Sequence, residues 1–301
     1  MRATTTTGKK FVWSPLLIHL FFILLTVAML LPFVMVIVIS FTDEQSILQD
    51  GFRLWPERFS TLAYDYFLKT PDVILRAYGV TIAVCAIGTT LSLLLTSSLG
   101  YALSRRDYAY HRVTSFYVFF TMLFSGGLVP FYILMTQWLQ LKDTIWAMIV
   151  PGLLSPFNVL IMKSFLAKIP TEIIESAKID GGREWRIYAQ IILPLSKPAL
   201  ATLGLFILFG YWNEWFNAML FINDSNLMPL QLLLVNTLSS IDFITSRPEF
   251  MRAMITINTS QLPKMSVKFA VVVLSAGPML LVFPFFQRFF VKGLTIGAIK
   301  S

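Results

Sequence analysis

Residues 15–40 read PLLIHLFFILLTVAMLLPFVMVIVIS, a run of 26 positions in which His19 is the only group able to carry a charge. An α-helix rises 1.5 Å per residue, so about 20 apolar residues cross the roughly 30 Å hydrocarbon core of a bilayer. A secretory signal has an apolar core of about 7–15 residues ending in a small-residue cleavage site, and this run is too long for that. It reads as a retained first transmembrane helix behind a tail, residues 1–14, that carries Arg2, Lys9 and Lys10. Five more runs of spanning length follow at Ile74–Leu103, Val113–Leu139, Thr144–Met162, Ala199–Ile222 and Lys268–Phe290, each bounded by charges, Pro or Gly. The expected fold is all-α, a polytopic membrane helix bundle with six transmembrane helices.

The composition agrees. Hydrophobic residues make up 56% and charged residues 13% of the 301 positions. A soluble domain has about 45–50% and 25%, so this chain lacks the polar surface for a water-facing exterior. The single cysteine, Cys85, lies inside an apolar run, which excludes a disulfide framework or a Cys-based metal site within the chain. His19 and His111 stand apart with no carboxylate cluster, so neither a metal site nor a catalytic constellation is expected. A net charge of +8 would suit nucleic acid in a polar protein. In so apolar a chain it first reports orientation against membrane lipid, and no nucleic-acid partner is expected.

With the N-terminus cytoplasmic, the inner segments hold 15 of the 24 Lys and Arg. Three lie in the tail, Arg105, Arg106 and Arg112 follow the second span, six run from Lys163 to Lys197, and Arg288, Lys292 and Lys300 close the chain. The outer segments hold nine, offset by ten acids. Because Lys and Arg accumulate on the cytoplasmic side, both termini are expected there. The organisation is then a cytoplasmic tail (1–14) and a single membrane domain (15–301), with an inner loop at 163–198 and long outer loops at 41–73 and 223–267. The outer loops, with Trp55, Tyr64, Tyr66 and Phe67 in one and the amphipathic stretch Leu230–Ile241 in the other, suit docking of an external protein.

The inner loop is too patterned for a turn. Thr171 is a good N-cap, Glu172 and Glu175 lie in the first turns where the helix dipole favours acids, and Gly181 offers a left-handed stop. A helix of two to three turns is expected over 171–180. A second helical stretch, Glu184–Leu193, is expected to end at Pro194. Ile173, Ala177 and Asp180 recur at i, i+4 and i+7 with Ile174 beside them, an apolar strip flanked by Glu172, Glu175 and Lys178. A helix lying in the bilayer interface would carry Trp, Phe and several Lys. Two Glu and one Lys fit a groove on a soluble partner better.

Glu175-Ser176-Ala177, three residues, Gly181, nine residues and Ile191-Ile192-Leu193-Pro194 resemble the E-A-A-x3-G-x9-I-x-L-P signature of permease subunits of bacterial ABC importers, with Ser176 in place of an Ala. The loop lies between the fourth and fifth spans, where that family carries it. Asp180-Gly181-Gly182 and the stretch Phe290–Gly297 look like its carbohydrate-uptake branch. Phe124-Ser125-Gly126-Gly127-Leu128-Val129-Pro130 and Trp212-Asn213-Glu214-Trp215 are similar to its oligosaccharide permeases of the alginate- and pectin-fragment type. The resemblance implies a type I ABC importer permease (MetI-like) architecture in the bacterial inner membrane. It also implies a second permease, a homologous different chain, a dimer of cytoplasmic ABC ATPase subunits that bind ATP and Mg, an extracytoplasmic solute-binding protein, and an oligosaccharide substrate. The loop helix would be the coupling helix seated on the ATPase. Its expected site residues are Glu175, Ser176, Ala177, Asp180, Gly181, Gly182, Ile191, Leu193 and Pro194, with Glu175 giving a polar contact, Ala177 close packing and Gly181 the turn.

No Walker A loop occurs. In the nearest look-alike, Gly293–Ser301, no Lys follows the second Gly. The chain is therefore not expected to be an enzyme or to hold a cofactor of its own. Glu214 is the only acid within an expected span, and an intramembrane acid is a functional candidate by default. As a substrate path, Trp212 or Trp215 would stack on sugar rings while Asn213, Glu214 and Asn217 bond hydroxyls. The competing reading is a hydrogen-bond node joining two permeases. Asn158, with Ser155 after Pro151 and Gly152, is a further path candidate, or else marks a helix break whose freed carbonyls need partners. Two alternatives stand beside the oligosaccharide permease: a permease for an amino acid, polyamine or phosphate, and an ATP-independent secondary transporter or channel. The second is disfavoured by the single acid within the spans.

Overall fold

The computed structural model describes residues 13–69, 71–246 and 265–298, and among them there is no strand. The tail residues 1–12, outer-loop residues 247–264 and residues 299–301 lie outside the described residues. Among the described residues three helices are long and apolar enough to cross a bilayer alone, Leu17–Ser40, Pro71–Ser104 and Met265–Val282. Three pairs of shorter helices reach that length only together, each pair bent by more than 40°. With each bent pair taken as one span the count among the described residues reaches six, the number expected, although the third pair joins Glu184–Leu195 of the inner loop to Lys197–Trp212 and does not match the expected run 199–222.

The chain divides into two compact units, Met1–Leu68 with Arg247–Val273, and Lys69–Ser246 with Leu274–Ser301. In the first, α1 (Trp13–Ser40) exposes every residue from Leu17 to Val34, as a helix apolar on all sides does when its solvent is hydrocarbon. The short outer helices α2 (Glu44–Asp50) and α3 (Leu62–Leu68) follow. The Asp43 carboxylate accepts the Gln45 N–H at 3.1 Å and caps α2. The Glu44 carboxylate accepts the N–H groups of Met265 and Ser266 at 2.8–3.0 Å, capping the last helix where orphan donors and the dipole favour an anion.

The second unit is built on α4 (Pro71–Ser104). One face of it carries Thr81, Cys85, Gly88, Ser92, Thr96 and Gly100, all buried, and small residues let helices approach closely in a membrane. A Cβ at Gly100 would lie 2.9 Å from Met162, and one at Gly88 2.6 Å from the Tyr211 ring.

Three of the expected spans are broken, two of them at residues that give a local reason. The run 113–139 becomes α5 (His111–Leu123) and α6 (Leu128–Ile133), the latter prolonged by a π-turn at Leu134–Trp138, with a 112° bend between the arms. The break falls on Ser125-Gly126-Gly127, where Gly127 takes φ +88°, a conformation that favours glycine. The run 144–162 becomes α7 (Trp146–Ile149) with a 3-10 turn at Val150–Gly152, then α8 (Pro156–Leu166), bent by 49°. Pro151 and Pro156 remove the N–H donors that would continue it.

The inner loop contributes α9 (Thr171–Ile179), α10 (Glu184–Ile187) and α11 (Leu193–Leu195). The run 199–222 becomes α12 (Lys197–Trp212) and α13 (Phe216–Phe221), separated at residues 213–215. After them, α14 (Leu230–Ser246) covers the amphipathic stretch expected in the outer loop. The last helix, α15 (Met265–Ala298), runs through Pro278 and Pro284. The core of this unit gathers Met148, Ile149, Tyr211, Trp212, Ala218 and Phe221 with side chains of the inner loop.

Candidate functional site: the inner coupling loop and the break at 213–215

Helix α9 starts one residue away from the expected cap. Pro170 is the N-cap in extended conformation (φ −56°, ψ 133°), and Thr171 is the first helical residue. Pro170 has no side-chain oxygen to accept an N–H of the first turn, so no side-chain cap bond is made there. The C-terminus ends as expected. The Gly182 N–H donates to the Ala177 carbonyl at 2.8 Å and the Gly181 N–H to the Lys178 carbonyl at 3.0 Å, the paired bonds of a Schellman stop. Gly181 has φ +79°, and a Cβ on Gly182 would lie 2.6 Å from the Ala177 oxygen. Both glycines are therefore required, for different reasons.

The expected apolar strip is divided. Ile174 is buried in the unit's core and Ala177 is half-buried, so these two hold α9 to its own chain. Glu172, Glu175, Ser176 and Ile179 share the opposite face and are exposed, Ile179 at 86%. Asp180 is exposed at the helix end. Trp185, 72% exposed on α10, adds an aromatic that the sequence pattern did not single out. Beyond it the chain does not stop at Pro194. A π-turn at Tyr188–Ile192 leads into α11, with Pro194 in its first turn, where a missing N–H costs little. Ile191 and Leu193 are half-buried and Pro194 exposed. At Ser196, whose hydroxyl donates to the Ile192 carbonyl at 2.6 Å, the chain turns by 80° into α12.

A charge network missed from the sequence ties this loop to the inner end of α4. Lys178 Nζ lies 3.1 Å from Asp107 Oδ2 and 2.7 Å from Glu184 Oε1. Arg105 bonds Asp107 through Nε at 2.8 Å, and Tyr101 donates to Glu184 at 3.0 Å. The Arg105 guanidinium beside Asp107 holds that carboxyl well below the usual carboxylate range, with Lys178 adding to the effect. Glu184 and then Asp107 raise Lys178. Opposite charges on two inner segments were the available signal, but 70 residues of sequence hid the pairing. A cleft of about 740 Å³ lies beside the network, bounded by Arg106, Lys168, Pro170 and Glu172.

Of the expected path residues, Trp212 is 6% exposed and its indole N–H donates to the Ser275 carbonyl at 3.1 Å. Asn213 and Trp215 are exposed, while Glu214 and Asn217 are half-buried. Glu214 sits in the break and not within a helix. Its Oε1 accepts the Asn217 N–H at 2.7 Å, capping α13. Asn213 donates to the Phe209 carbonyl at 2.8 Å and accepts from Gln231 at 3.4 Å. The structure thus gathers residues 213–217 into one cluster. Asn158, half-buried in the first turn of α8, makes no hydrogen bond to it.

Residues 7–296 match the family described as binding-protein-dependent transport system inner membrane component. The chain belongs to this family. This inner membrane component is 39% identical over 272 residues to Protein LplC of Bacillus subtilis (strain 168), covering 90% of each chain. It is also 39% identical over 286 residues to the polygalacturonan/rhamnogalacturonan transport system permease protein YtcP of the same organism, covering 95% of this chain and 98% of that one. A crystal structure of a bacterial ABC transporter involved in the import of the acidic polysaccharide alginate shares the fold, with TM-score 0.79 and 26% identity over 95% of this chain and 100% of the other.

Proposed function

We propose that this inner membrane component is a permease subunit of an ATP-driven importer for an oligosaccharide, of the kind released from acidic plant or algal polysaccharides. The substrate class is supported by the pectin- and alginate-related relatives. The coupling role rests chiefly on one observation: a Schellman-closed helix that turns Glu172, Glu175, Ser176 and Ile179 outward while Ile174 anchors it inward. That face fits a groove on a cytoplasmic ATPase dimer, whose subunits would bind ATP and Mg and whose closure would move the spans as rigid elements. Gly181 and Gly182 fix the return turn, and Ile191, Leu193 and Pro194 carry the motion toward α12. The chain itself is not an enzyme in this reading.

A second permease, homologous but a different chain, completes the path, and an extracytoplasmic binding protein delivers the sugar to the outer side. Both termini are cytoplasmic, consistent with 15 of 24 basic residues on that side. The cluster Asn213, Glu214, Trp215 and Asn217 lines the path, with Asn158 beyond it, while Trp212 braces the break from within the core. The test is to purify the tagged chain with its companions and reconstitute them in proteoliposomes. ATP-dependent uptake of oligogalacturonide or alginate fragments, requiring the binding protein, is expected. Uptake by the isolated chain without ATP would replace this reading with a secondary transporter.

A further inference from the structure

We propose that Asp107 and Lys178 form a latch through which the coupling helix α9 drives the central helix α4, making both positioning residues for energy transfer. This rests on the coupling role above. Along the backbone, α9 is joined to the rest of the unit only through Pro170 on one side and the glycine turn 181–182 on the other, neither of which is a stiff lever. The side chains supply a shorter route. Lys178, on the last turn of α9, bridges Asp107 just past the end of α4 and Glu184 at the start of α10. Asp107 is held in turn by Arg105, whose side chain is only 14% exposed, and Glu184 by the hydroxyl of Tyr101 within α4. The Arg105 guanidinium lies 5.9 Å from the Tyr101 ring centre. Three pieces of chain thus meet at one amine, and α4 is the helix against which α8 and α12 pack. A push on α9 reaches the bundle's centre without passing through the loop backbone.

The experiment measures ATP hydrolysed per sugar imported by the complete reconstituted complex. Lys178→Met and Asp107→Asn should keep the ATPase bound but raise this ratio about fivefold or more, while Lys178→Arg stays near wild type. Because the only native cysteine, Cys85, is buried, D107C/K178C can be bridged with a reversible bis-methanethiosulfonate reagent. Bridging should restore the ratio and reductant should abolish it again. A wild-type ratio in Lys178→Met overturns the latch. So does loss of the ATPase that bridging does not repair, which would make Lys178 a docking contact. Failure of the unmodified complex to import with ATP would instead overturn the coupling role itself.

Discussion

The Tyr211 hydroxyl donates to the Ile149 carbonyl at 2.9 Å in the buried core, and this bond holds one of the three bends in place. The 3-10 turn after Ile149 sends the Leu153 N–H to Val150, so the Ile149 oxygen loses the i+4 donor that a continuing α-helix would give it. Other freed carbonyls are treated alike. Pro156 cannot donate to Gly152, and Ser92 donates to Gly152 at 3.1 Å and Leu153 at 2.6 Å. Pro278 cannot donate to Leu274, whose oxygen accepts from Tyr78. In hydrocarbon every such group needs a partner, and α4 and α12 provide them.

Tyr211→Phe should therefore lower the unfolding midpoint of the solubilised complex by an amount equivalent to roughly 0.5–2 kcal/mol. Gly88→Ala should cost more, about 1–3 kcal/mol, because its Cβ would lie 2.6 Å from the Tyr211 ring. Equal midpoints for wild type and Gly88→Ala would show that this contact does not pack as described.

Much of the architecture was legible from residues 15–40 and their like, because a span declares itself by length and apolarity. The break after Pro151-Gly152 was legible only as one of two readings of Ser155 and Asn158, and the one at Ser125-Gly126-Gly127 was not, because it sits inside a run whose mean hydropathy stays high. Transmembrane helices tolerate such residues when neighbours satisfy the backbone, and those neighbours are far away in sequence, as Ser92 and Tyr211 are. The coupling helix was legible to within one residue through Gly181. Its inward face was not, since Ile173 and Ile174 are equally apolar and only the fold selects Ile174 for the core.

Gly181→Val should uncouple transport from hydrolysis. At φ +79° a β-branched residue costs at least the roughly 1–2 kcal/mol of left-handed strain, which the short helix relieves by opening its last turn. Gly182→Ala should act similarly through the 2.6 Å clash with Ala177. Uptake is expected to fall in both while the ATPase stays in the complex, and normal uptake in Gly181→Val would count against the coupling role.

The charge network should be indifferent to pH in the neutral range. Asp107 is depressed by Arg105, so its contribution is present above the ordinary carboxylate value and lost only as pH falls through its lowered one. Lys178 is raised by Glu184 and Asp107, so its contribution is present below the ordinary lysine value and lost only as pH rises through its raised one. Between about pH 5 and 9 both are charged. The difference in unfolding midpoint between wild type and Lys178→Met should be flat from about pH 5.5 to 8.5. A steady drift would mean that a group outside this network sets the difference.

Glu214 separates structural from path roles because its carboxylate does two things that substitutions split. Its Oε1 accepts the Asn217 N–H at 2.7 Å, and a glutamine oxygen can accept the same bond without the charge. Glu214→Gln should leave the α12–α13 break and complex assembly intact. Glu214→Ala should remove the cap at a cost of about 1 kcal/mol, read as a lower unfolding midpoint. If the cluster lines the path, Glu214→Gln alone should change the KM for oligosaccharide uptake while the midpoint stays put, since only the charge facing the sugar has been lost. If the residue is a packing node between permeases, Glu214→Ala should dissociate the pair and Glu214→Gln should import normally. Normal uptake and an intact pair in both variants would remove Glu214 from either role and leave Asn213 and Asn217 as the polar groups of the break.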